Sequence, residues 1–173
     1  MDTTRTMITF KNSGFKFTYR IGGIALHNGK VLFQKATVNP EAIFWFLPGG
    51  RAELGESSEE TLKREMREEM GVEITIERPV YIVENFFGDE AKYHHELGVY
   101  FLMTFPPDSY LYHEQGPFIH EENDELPLIF EWLPLDQLEQ LPVQPKFFRS
   151  ALQTIPVQLT HVVQIDAPVD ART

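Results

Sequence analysis

Carboxylates crowd one short stretch of the chain, "LPGGRAELGESSEETLKREMREEMGVE" (residues 47–73), which holds eight Glu in 27 residues. If the segment is helical, Glu65, Glu68 and Glu69 share one side of the helix, at spacings where like charges destabilise it by a few tenths of a kcal/mol per pair. They also lie near its negative C-terminal end. Several oxygen ligands are what a hard divalent cation requires. The crowding therefore predicts a Mg²⁺ or Mn²⁺ site, with a solvated acidic face as the alternative.

The residues around this cluster predict a capped helix preceded by a tight loop. Ser57 followed by Glu60 forms a capping box, and Gly71 supplies the C-terminal stop. One apolar side chain recurs every four positions and gives the face expected to pack on a sheet: Leu62, Met66 and Met70. Gly49 and Gly50 let the backbone approach a ligand closely, so a main-chain carbonyl there could join the helix carboxylates. An ordinary turn is the alternative for these two glycines.

Strand patterns flank this helix on both sides. Asn12-Ser13-Gly14 and Asn28-Gly29 are the turns of two predicted hairpins, and residues 73–88 and 91–105 are long strand candidates. Three further segments complete the prediction: a loop over 106–125, a strand in "LIFEWLPL" and a short helix after Pro145. This order predicts one α/β domain over residues 1–166 with a mixed sheet covered by helices, followed by a flexible tail over 167–173.

The net charge and the amino-acid composition exclude several classes of function. The chain has 173 residues, a net charge of −11 and no Cys. The negative charge argues against unaided binding to nucleic acid or an anionic membrane, and the lack of Cys excludes thiol catalysis and thiolate metal sites. No apolar signal core or membrane-length run is present, so a soluble cytoplasmic protein is expected. A homodimer stays open.

Residues 50–72 resemble the signature of the Nudix (MutT-like) hydrolases. That signature is G, five residues, E, seven residues and R-E-U-x-E-E-x-G-U, where U is aliphatic. The chain matches each fixed position: Gly50, Glu56, Arg64, Glu65, Met66, Glu68, Glu69, Gly71 and Val72. The resemblance implies an α/β/α sandwich around a mixed β-sheet. It also implies hydrolysis of a nucleoside diphosphate linked to another group, with a nucleoside triphosphate as one candidate substrate.

The resemblance also assigns site residues. Glu65, Glu68 and Glu69 match the family's metal-binding carboxylates, and Gly49 matches the carbonyl that joins them around Mg²⁺ or Mn²⁺. The pair that ties the loop to the helix corresponds to Glu56 and Arg64. A metal ion held there neutralises diphosphate charge and lowers the pKa of a bound water, whose proton a carboxylate accepts. On this interpretation the repulsion among the carboxylates is relieved when the cation binds.

The general base stays open between a helix Glu and an acid from the later loop "HEENDEL", where Glu125 is favoured over Glu122. Glu96 is another option, because an acid in an apolar strand needs a partner. The alternative for the loop acids is a solvated surface. A non-catalytic module that senses a nucleotide is the alternative for the whole protein, although a sensor does not need the intact carboxylate set.

Substrate contacts are the least determined part of the site. Lys35 stands where many relatives carry a phosphate-binding basic residue, with an exposed strand end as the alternative, and Arg51 and Arg20 are weaker candidates. Gln144 is a candidate for hydrogen bonding to a base edge. One set of aromatic residues could stack on a nucleobase, with a place in the core as the alternative for most of them: Phe44, Trp45, Phe46, Phe86 and Phe87.

Overall fold

A computed structural model describes residues 5–39, 42–89, 92–121 and 127–166. The strands are β1 Thr9–Asn12, β2 Phe15–Ile24, β3 Leu26–His27, β4 Lys30–Asn39, β5 Ala42–Phe46, β6 Gly49–Arg51, β7 Thr75–Asp89, β8 Lys92–Thr104, β9 Phe118–His120, β10 Leu128–Pro134 and β11 Thr160–Ile165. The helices are α1 Ser58–Met70, α2 Tyr110–His113 and α3 Phe148–Ala151, with a 3-10 helix over Leu135–Gln140. Within the described residues, no helix is long and apolar enough to span a membrane.

The strands form two sheets. The larger has the order β1-β2-β8-β7-β11, with β6 added to β2, and its β2–β8 and β7–β11 pairs are parallel while its other pairs are antiparallel. The smaller is antiparallel, with the order β3-β4-β10-β9 and β5 added to β4. The predicted mixed sheet is thus confirmed, and the chain uses parallel pairing at two places to join distant segments.

Turn residues with positive φ close the two predicted hairpins. Ser13 and Gly14 have φ of 43° and 87° between β1 and β2, and Asn28 and Gly29 have φ of 48° and 73° between β3 and β4. Such values at both central residues match the twist of the flanking strands. Both hairpins are confirmed, as is the long antiparallel β7–β8 pair.

Helix α1 is capped as its sequence predicts. The Ser57 hydroxyl accepts from the Glu60 N–H at 3.3 Å, and the Glu60 carboxylate accepts from the Ser57 N–H at 2.8 Å. Gly71 ends the helix in the left-handed conformation with φ 65°. The predicted packing face is buried: Leu62, Met66 and Met70.

Helices cover the sheets on two sides. The face of α1 packs with Ile21, Leu32 and Phe101 in one apolar cluster. A second cluster joins Phe148 of α3 and Leu138 of the 3-10 helix to strand residues that include Val31, Phe33, Val80 and Tyr100. The α/β/α arrangement around a mixed sheet is therefore confirmed.

The described part of the segment predicted as a loop, residues 106–121, is largely structured. It contains α2 and the strand β9, whose His120 pairs with Leu128 of β10. Leu111 and Phe118 are buried, and Trp132 Nε1 donates to the Leu111 carbonyl at 2.8 Å. The loop prediction was wrong there, because Leu111 and Phe118 pack into the core. The predicted tail over 167–173 lies outside the described residues.

Candidate active site

Arg64 of α1 is the centre of the polar network around the acidic helix. Its Nε and Nη2 donate to the two carboxylate oxygens of Glu56 at 2.8 and 3.0 Å. Its Nη1 donates to Glu65 at 2.8 Å and to Glu68 at 3.1 Å. Nη2 also donates to the Arg51 carbonyl at 3.2 Å. One guanidinium therefore links the helix to the loop before it and holds two of the predicted metal ligands.

Glu56 lies at the loop side of this network. Besides the two bonds from Arg64, it accepts from the Thr61 hydroxyl at 2.9 Å. The hydrogen bonds from Arg64 hold the pKa of the Glu56 carboxyl below its ordinary value despite partial burial. The structure thus places Glu56 and Arg64 in direct contact across the loop–helix junction, where charge-assisted bonds on both oxygens fix the junction.

The acidic face of α1, formed by Glu65, Glu68 and Glu69, differs in its surroundings. Glu65 is 13% exposed, and burial raises the pKa of its carboxyl although Arg64 opposes the rise. Glu68 is more exposed and also accepts from Arg5 Nη1 at 2.5 Å. Oε2 of Glu69 is buried. The Glu65 charge is thus held in a setting where desolvation counts against it.

Arginines offset part of the repulsion on this face without a metal ion. Arg64 reaches both Glu65 and Glu68, and Arg5 reaches Glu68. These ion pairs act in addition to the relief expected from a bound cation, which stays a prediction. Helix spacing did not suggest a contact between Arg64 and its immediate neighbour Glu65, because adjacent residues do not face each other on a helix. The long guanidinium side chain overcomes that separation.

The glycine loop contacts the acidic face directly. Gly49 has φ of 134°, and a Cβ there would meet the Ile21 carbonyl oxygen at 2.1 Å. A Cβ on Gly50 would lie 2.1 Å from the carboxyl carbon of Glu65. Strand β6 pairs this loop with β2, so Gly50 is opposite Ile21. Only glycines allow the backbone this close to the carboxylate.

These donors fit a hard cation by their chemistry. The Gly49 carbonyl and the carboxylates of Glu65, Glu68 and Glu69 are all oxygen donors, and the Gly50–Glu65 approach brings loop and helix together. Among the described residues, no three His, Asp or Glu side chains already form a metal-binding group. Arg64 and Arg5 hold Glu65 and Glu68 instead, so metal binding would exchange these arginine contacts for ligand bonds.

A cavity of about 530 Å³ lies beside the glycine loop. Three of the predicted aromatic residues line it, Phe44, Phe46 and Phe87. Its polar lining includes Arg20, Asn85, Glu96 and Gln144. The structure thus brings together six residues that the sequence had suggested separately, together with Asn85. Such a pocket, mostly apolar with a few convergent polar groups, is typical of a small-molecule site.

Arg20 connects this cavity to the loop. Its Nη2 donates to the carbonyls of Leu47 and Gly49, both at 3.0 Å. Its guanidinium carbon lies 4.8 Å from the centroid of the Phe46 ring. The positively charged guanidinium of Arg20 therefore lies between the Phe46 ring and the Gly49 carbonyl, which was predicted as a metal ligand.

Other predicted residues lie elsewhere. Lys35 Nζ is 5.7 Å from the centroid of the Trp45 ring, and neither residue lines the cavity. Phe86 stacks on His95 with the ring centroids 4.3 Å apart, on the opposite face of β7 from Phe87. Arg51 is exposed, and its Nη1 contacts the Met7 sulfur at 3.4 Å. Glu122 and Glu125 lie outside the described residues.

Sequence reasoning missed two residues of the site. Asn85 lines the cavity and is 6% exposed. The argument that singled out Glu96, a polar residue in an apolar strand, applies equally to Asn85 in "VYIVENFF" and would have found it. Arg5 approaches Glu68 because residues 6–8 run along the loop before α1, where Leu54 N–H donates to the Thr6 carbonyl and Ile8 N–H to the Ala52 carbonyl. No local pattern indicates that contact.

Comparison with known proteins gives a family match. The model of the NUDIX domain matches residues 16–153. A curated relative, the CTP pyrophosphohydrolase of Escherichia coli (strain K12), is 37% identical over 57 residues, which are 32% of this chain and 42% of that protein. The matched part thus spans about two fifths of that relative's length.

Solved structures with a similar fold include two bacterial proteins. One is a MutT NUDIX hydrolase from Burkholderia pseudomallei, with TM-score 0.53 and 25% identity, covering 81% of this chain and 98% of that chain. The other is a MutT protein from Bacillus halodurans, with TM-score 0.52 and 21% identity, covering 86% of this chain and 91% of that chain. The second likeness shows the shared fold alone.

Proposed function

The chain belongs to the NUDIX domain family, and from this premise we propose that it is a Mg²⁺- or Mn²⁺-dependent pyrophosphohydrolase. Its substrate is a nucleoside diphosphate linked to another group, with a nucleoside triphosphate as the first candidate. One observation carries the proposal: Arg20 joins an aromatic cavity to the loop that contacts the acidic helix. A base in the cavity would direct its phosphates past Arg20 to the carboxylates.

Four groups of this chain would hold the ion: the Gly49 carbonyl and the carboxylates of Glu65, Glu68 and Glu69. When bound, a divalent ion neutralises diphosphate charge and lowers the pKa of a bound water. The acceptor of the attacking water's proton would be one of these helix carboxylates or Glu125 of the later loop. In either case the acceptor must be within hydrogen-bond reach of that water.

The remaining residues would orient these groups and the substrate. Arg64 keeps Glu65 and Glu68 on the loop side of the helix, and Glu56 holds Arg64. Arg20 would bind the phosphates, because its guanidinium lies between the cavity and the Gly49 carbonyl and guanidinium groups bind phosphate oxygens well. Arg51 lies near the same loop and stays a predicted phosphate contact. Lys35 stays a predicted contact too, although its ammonium group lies over Trp45.

Two further observations support a nucleotide substrate. The curated relative with 37% identity over 57 residues is a CTP pyrophosphohydrolase. The aromatic side chains of the cavity offer faces on which a base can stack, an interaction that every nucleobase allows. The net charge of −11 makes a polymeric nucleic acid an unfavourable substrate, whereas a bound cation screens a small phosphorylated one.

The test is a substrate panel: nucleoside triphosphates, nucleotide sugars, ADP-ribose and dinucleoside polyphosphates, each with Mg²⁺, with Mn²⁺ and with excess EDTA. We expect pyrophosphate bond cleavage with either metal ion and none with EDTA. Full turnover in EDTA would exclude the metal mechanism. Nucleotide binding without turnover of any substrate would instead favour the sensing module. Glu59→Gln, on the exposed first turn of the same helix, is the control variant and should keep full activity.

A further inference from the structure

A strip of basic side chains extends from the cavity towards the β1–β2 turn. This basic strip consists of Arg20, Arg51, Lys16, Lys11 and His94. Arg20 lines the cavity, and Lys16 lies four residues before it on an uninterrupted strand, so both side chains point to the same face of the sheet. At about 3.3 Å per residue, the two positions are about 13 Å apart along β2.

The register of the neighbouring strands places the other three residues on that face. Lys11 of β1 and His94 of β8 are the direct neighbours of Lys16, one on each side. Arg51 of β6 is the direct neighbour of Arg20. Directly opposite residues point to the same face of a sheet. The basic strip therefore has a near row beside the glycine loop, Arg20 with Arg51, and a far row, Lys16 with Lys11 and His94.

An aromatic contact also joins the far row to the cavity. The His94 ring stacks on the Phe87 ring, with the centroids 4.7 Å apart and the planes inclined by 11°. Phe87 lines the cavity, as does Arg20 of the near row. Both rows are thus continuous with the cavity, so a ligand held there can extend onto the strip.

The lysines and Arg51 of the strip are not paired with carboxylates. Within the described part of the chain, no ion pair involves Lys11, Lys16 or Arg51. Elsewhere in that part, four basic side chains do form ion pairs with carboxylates: Arg5, Arg64, Arg67 and Lys146. The chain has a net charge of −11, so carboxylates are abundant, and their separation from these cations leaves a positive surface for an outside anion.

The positive groups of the strip also act on one another. Partial burial lowers the pKa of Lys16, and neighbouring positive charges, first that of Arg51, lower it further. The Glu96 carboxyl opposes this shift without cancelling it. Burial and nearby lysines lower the pKa of His94 in the same direction. A bound anion would favour the charged forms of both groups and so relieve the repulsion.

We propose that the basic strip binds phosphate groups of the substrate that lie beyond the diphosphate to be cleaved. A base in the cavity and a diphosphate beside Arg20 leave the far row for the groups further along the substrate. Lysine ammonium groups bind phosphate oxygens through charge-assisted hydrogen bonds. Two kinds of substrate carry phosphate there: nucleotides with a longer phosphate chain, and diphosphate conjugates whose linked group is itself phosphorylated. This assignment rests on the proposed function, since it extends the substrate of that same site.

Two substrate pairs, matched in their base, test the assignment and distinguish these two kinds. Adenosine tetraphosphate adds one phosphate to ATP, and ADP-ribose phosphorylated at the anomeric position adds one to ADP-ribose. We expect kcat/KM to favour the more phosphorylated member by about 10-fold or more in at least one pair, because it gains charge-assisted bonds. A preference in the first pair alone identifies a phosphate chain, and one in the second alone identifies a phosphorylated linked group. Equal kcat/KM within both pairs would overturn the assignment and leave the proposed hydrolase standing.

Binding without turnover separates the two proposals from the other side. Calorimetric titration in EDTA with both members of each pair measures the contribution of the added phosphate alone. Tighter binding of a more phosphorylated member, by a protein that hydrolyses none of the panel substrates, would keep the strip and reject the hydrolase. The difference should shrink as the salt concentration rises, because salt screens exposed charges. Equal affinities within both pairs, or no measurable binding, would count against the strip.

Variants locate the preference on the far row. Lys16→Gln removes its central charge and should bring the kcat/KM ratio towards 1, and Lys11→Gln should do so less, because Lys11 is more exposed. Lys16→Arg keeps the charge and should retain the preference. Lys30→Gln is the matched control, since it makes the same charge change at an exposed position beside the β3–β4 turn of the other sheet. Full retention of the preference in Lys16→Gln, or an equal loss in Lys30→Gln, would contradict the assignment.

Discussion

Glu56 and Glu65 both accept hydrogen bonds from the guanidinium of Arg64, but the pKa values of their carboxyls shift in opposite directions. Glu56, at the loop–helix junction, receives two bonds from Arg64 and one from Thr61, and its pKa is lowered. Glu65, on the acidic face, receives one bond from Arg64, and burial raises its pKa. The difference shows that contact with an arginine does not decide what a carboxylate does. The balance of hydrogen-bond donors against desolvation separates a carboxylate whose charge is stabilised in the fold from one whose charge burial opposes.

The largest expected effect is on catalysis at the acidic face. Glu69→Gln should lower kcat by at least ~10²-fold, as loss of one preorganised electrostatic group typically does. Steady-state kinetics with Mg²⁺ measure this, with Glu59→Gln as the control. A loss below 10-fold would remove Glu69 from the groups that hold the metal ion or the attacking water.

At the loop–helix junction, a substitution of Glu56 is expected to change the stability of the fold. Glu56→Gln weakens two charge-assisted bonds on Arg64, so the free energy of unfolding should fall by about 1–2 kcal/mol. For a domain of this size the melting temperature should fall by about 2–8 °C. Thermal melts in EDTA measure the change. An unchanged melting temperature would mean that the loop keeps its position without this pair.

Glu65→Gln should act in the opposite direction. The amide can still accept from Arg64, while the desolvated charge and two repulsions, with Glu68 and Glu69, are removed. We expect a gain of about 0.4–1 kcal/mol in the metal-free protein, or about 1–4 °C in melting temperature. Glu68→Gln should gain less, because it gives up two ion pairs, with Arg64 and with Arg5, whereas Glu65→Gln gives up one, with Arg64. A lower melting temperature for Glu65→Gln in EDTA would show that its carboxylate stabilises the fold.

The smallest effect is in the pH dependence of these differences. A raised pKa at Glu65 means that its charge opposes folding above that pKa, so the gain from Glu65→Gln should vanish as the pH falls below 4.5, the ordinary value. The lowered pKa at Glu56 gives the reverse: its stabilisation is complete above 4.5 and is lost as the pH falls through the lowered value. Urea unfolding between about pH 3 and 7 tests both signs. Parallel curves for the two variants would contradict the comparison.

Local chemistry determined what the sequence could predict. The capping box, Gly71 and the apolar face of α1 act within a few residues, and so do the turns at Asn12-Ser13-Gly14 and Asn28-Gly29. All of these predictions were confirmed. Strand β11 was not predicted, because its parallel partner β7 lies far away in the chain and no turn residue links them.

The residues that line the cavity show the same limit of prediction from local sequence. Phe44 and Phe46 point into it while Trp45 between them does not, and Phe87 lines it while Phe86 faces the other side. Alternation along a strand explains both cases, but only sheet order tells which face is the inner one. The contact of Arg5 with Glu68 likewise depends on a chain segment that no periodicity connects to α1.

The two parallel strand pairs also bear on how the chain reaches this structure. Arg20 of β2 lies opposite Gly98 of β8, and Val162 of β11 lies opposite Val83 of β7. The β7–β8 hairpin can form early from nearby residues, whereas these pairs must close long loops before their contacts are gained. The cavity takes Arg20 from one late pair and Asp166 from beside the other. We therefore expect a nascent chain to lack this cavity until β11 has left the ribosome.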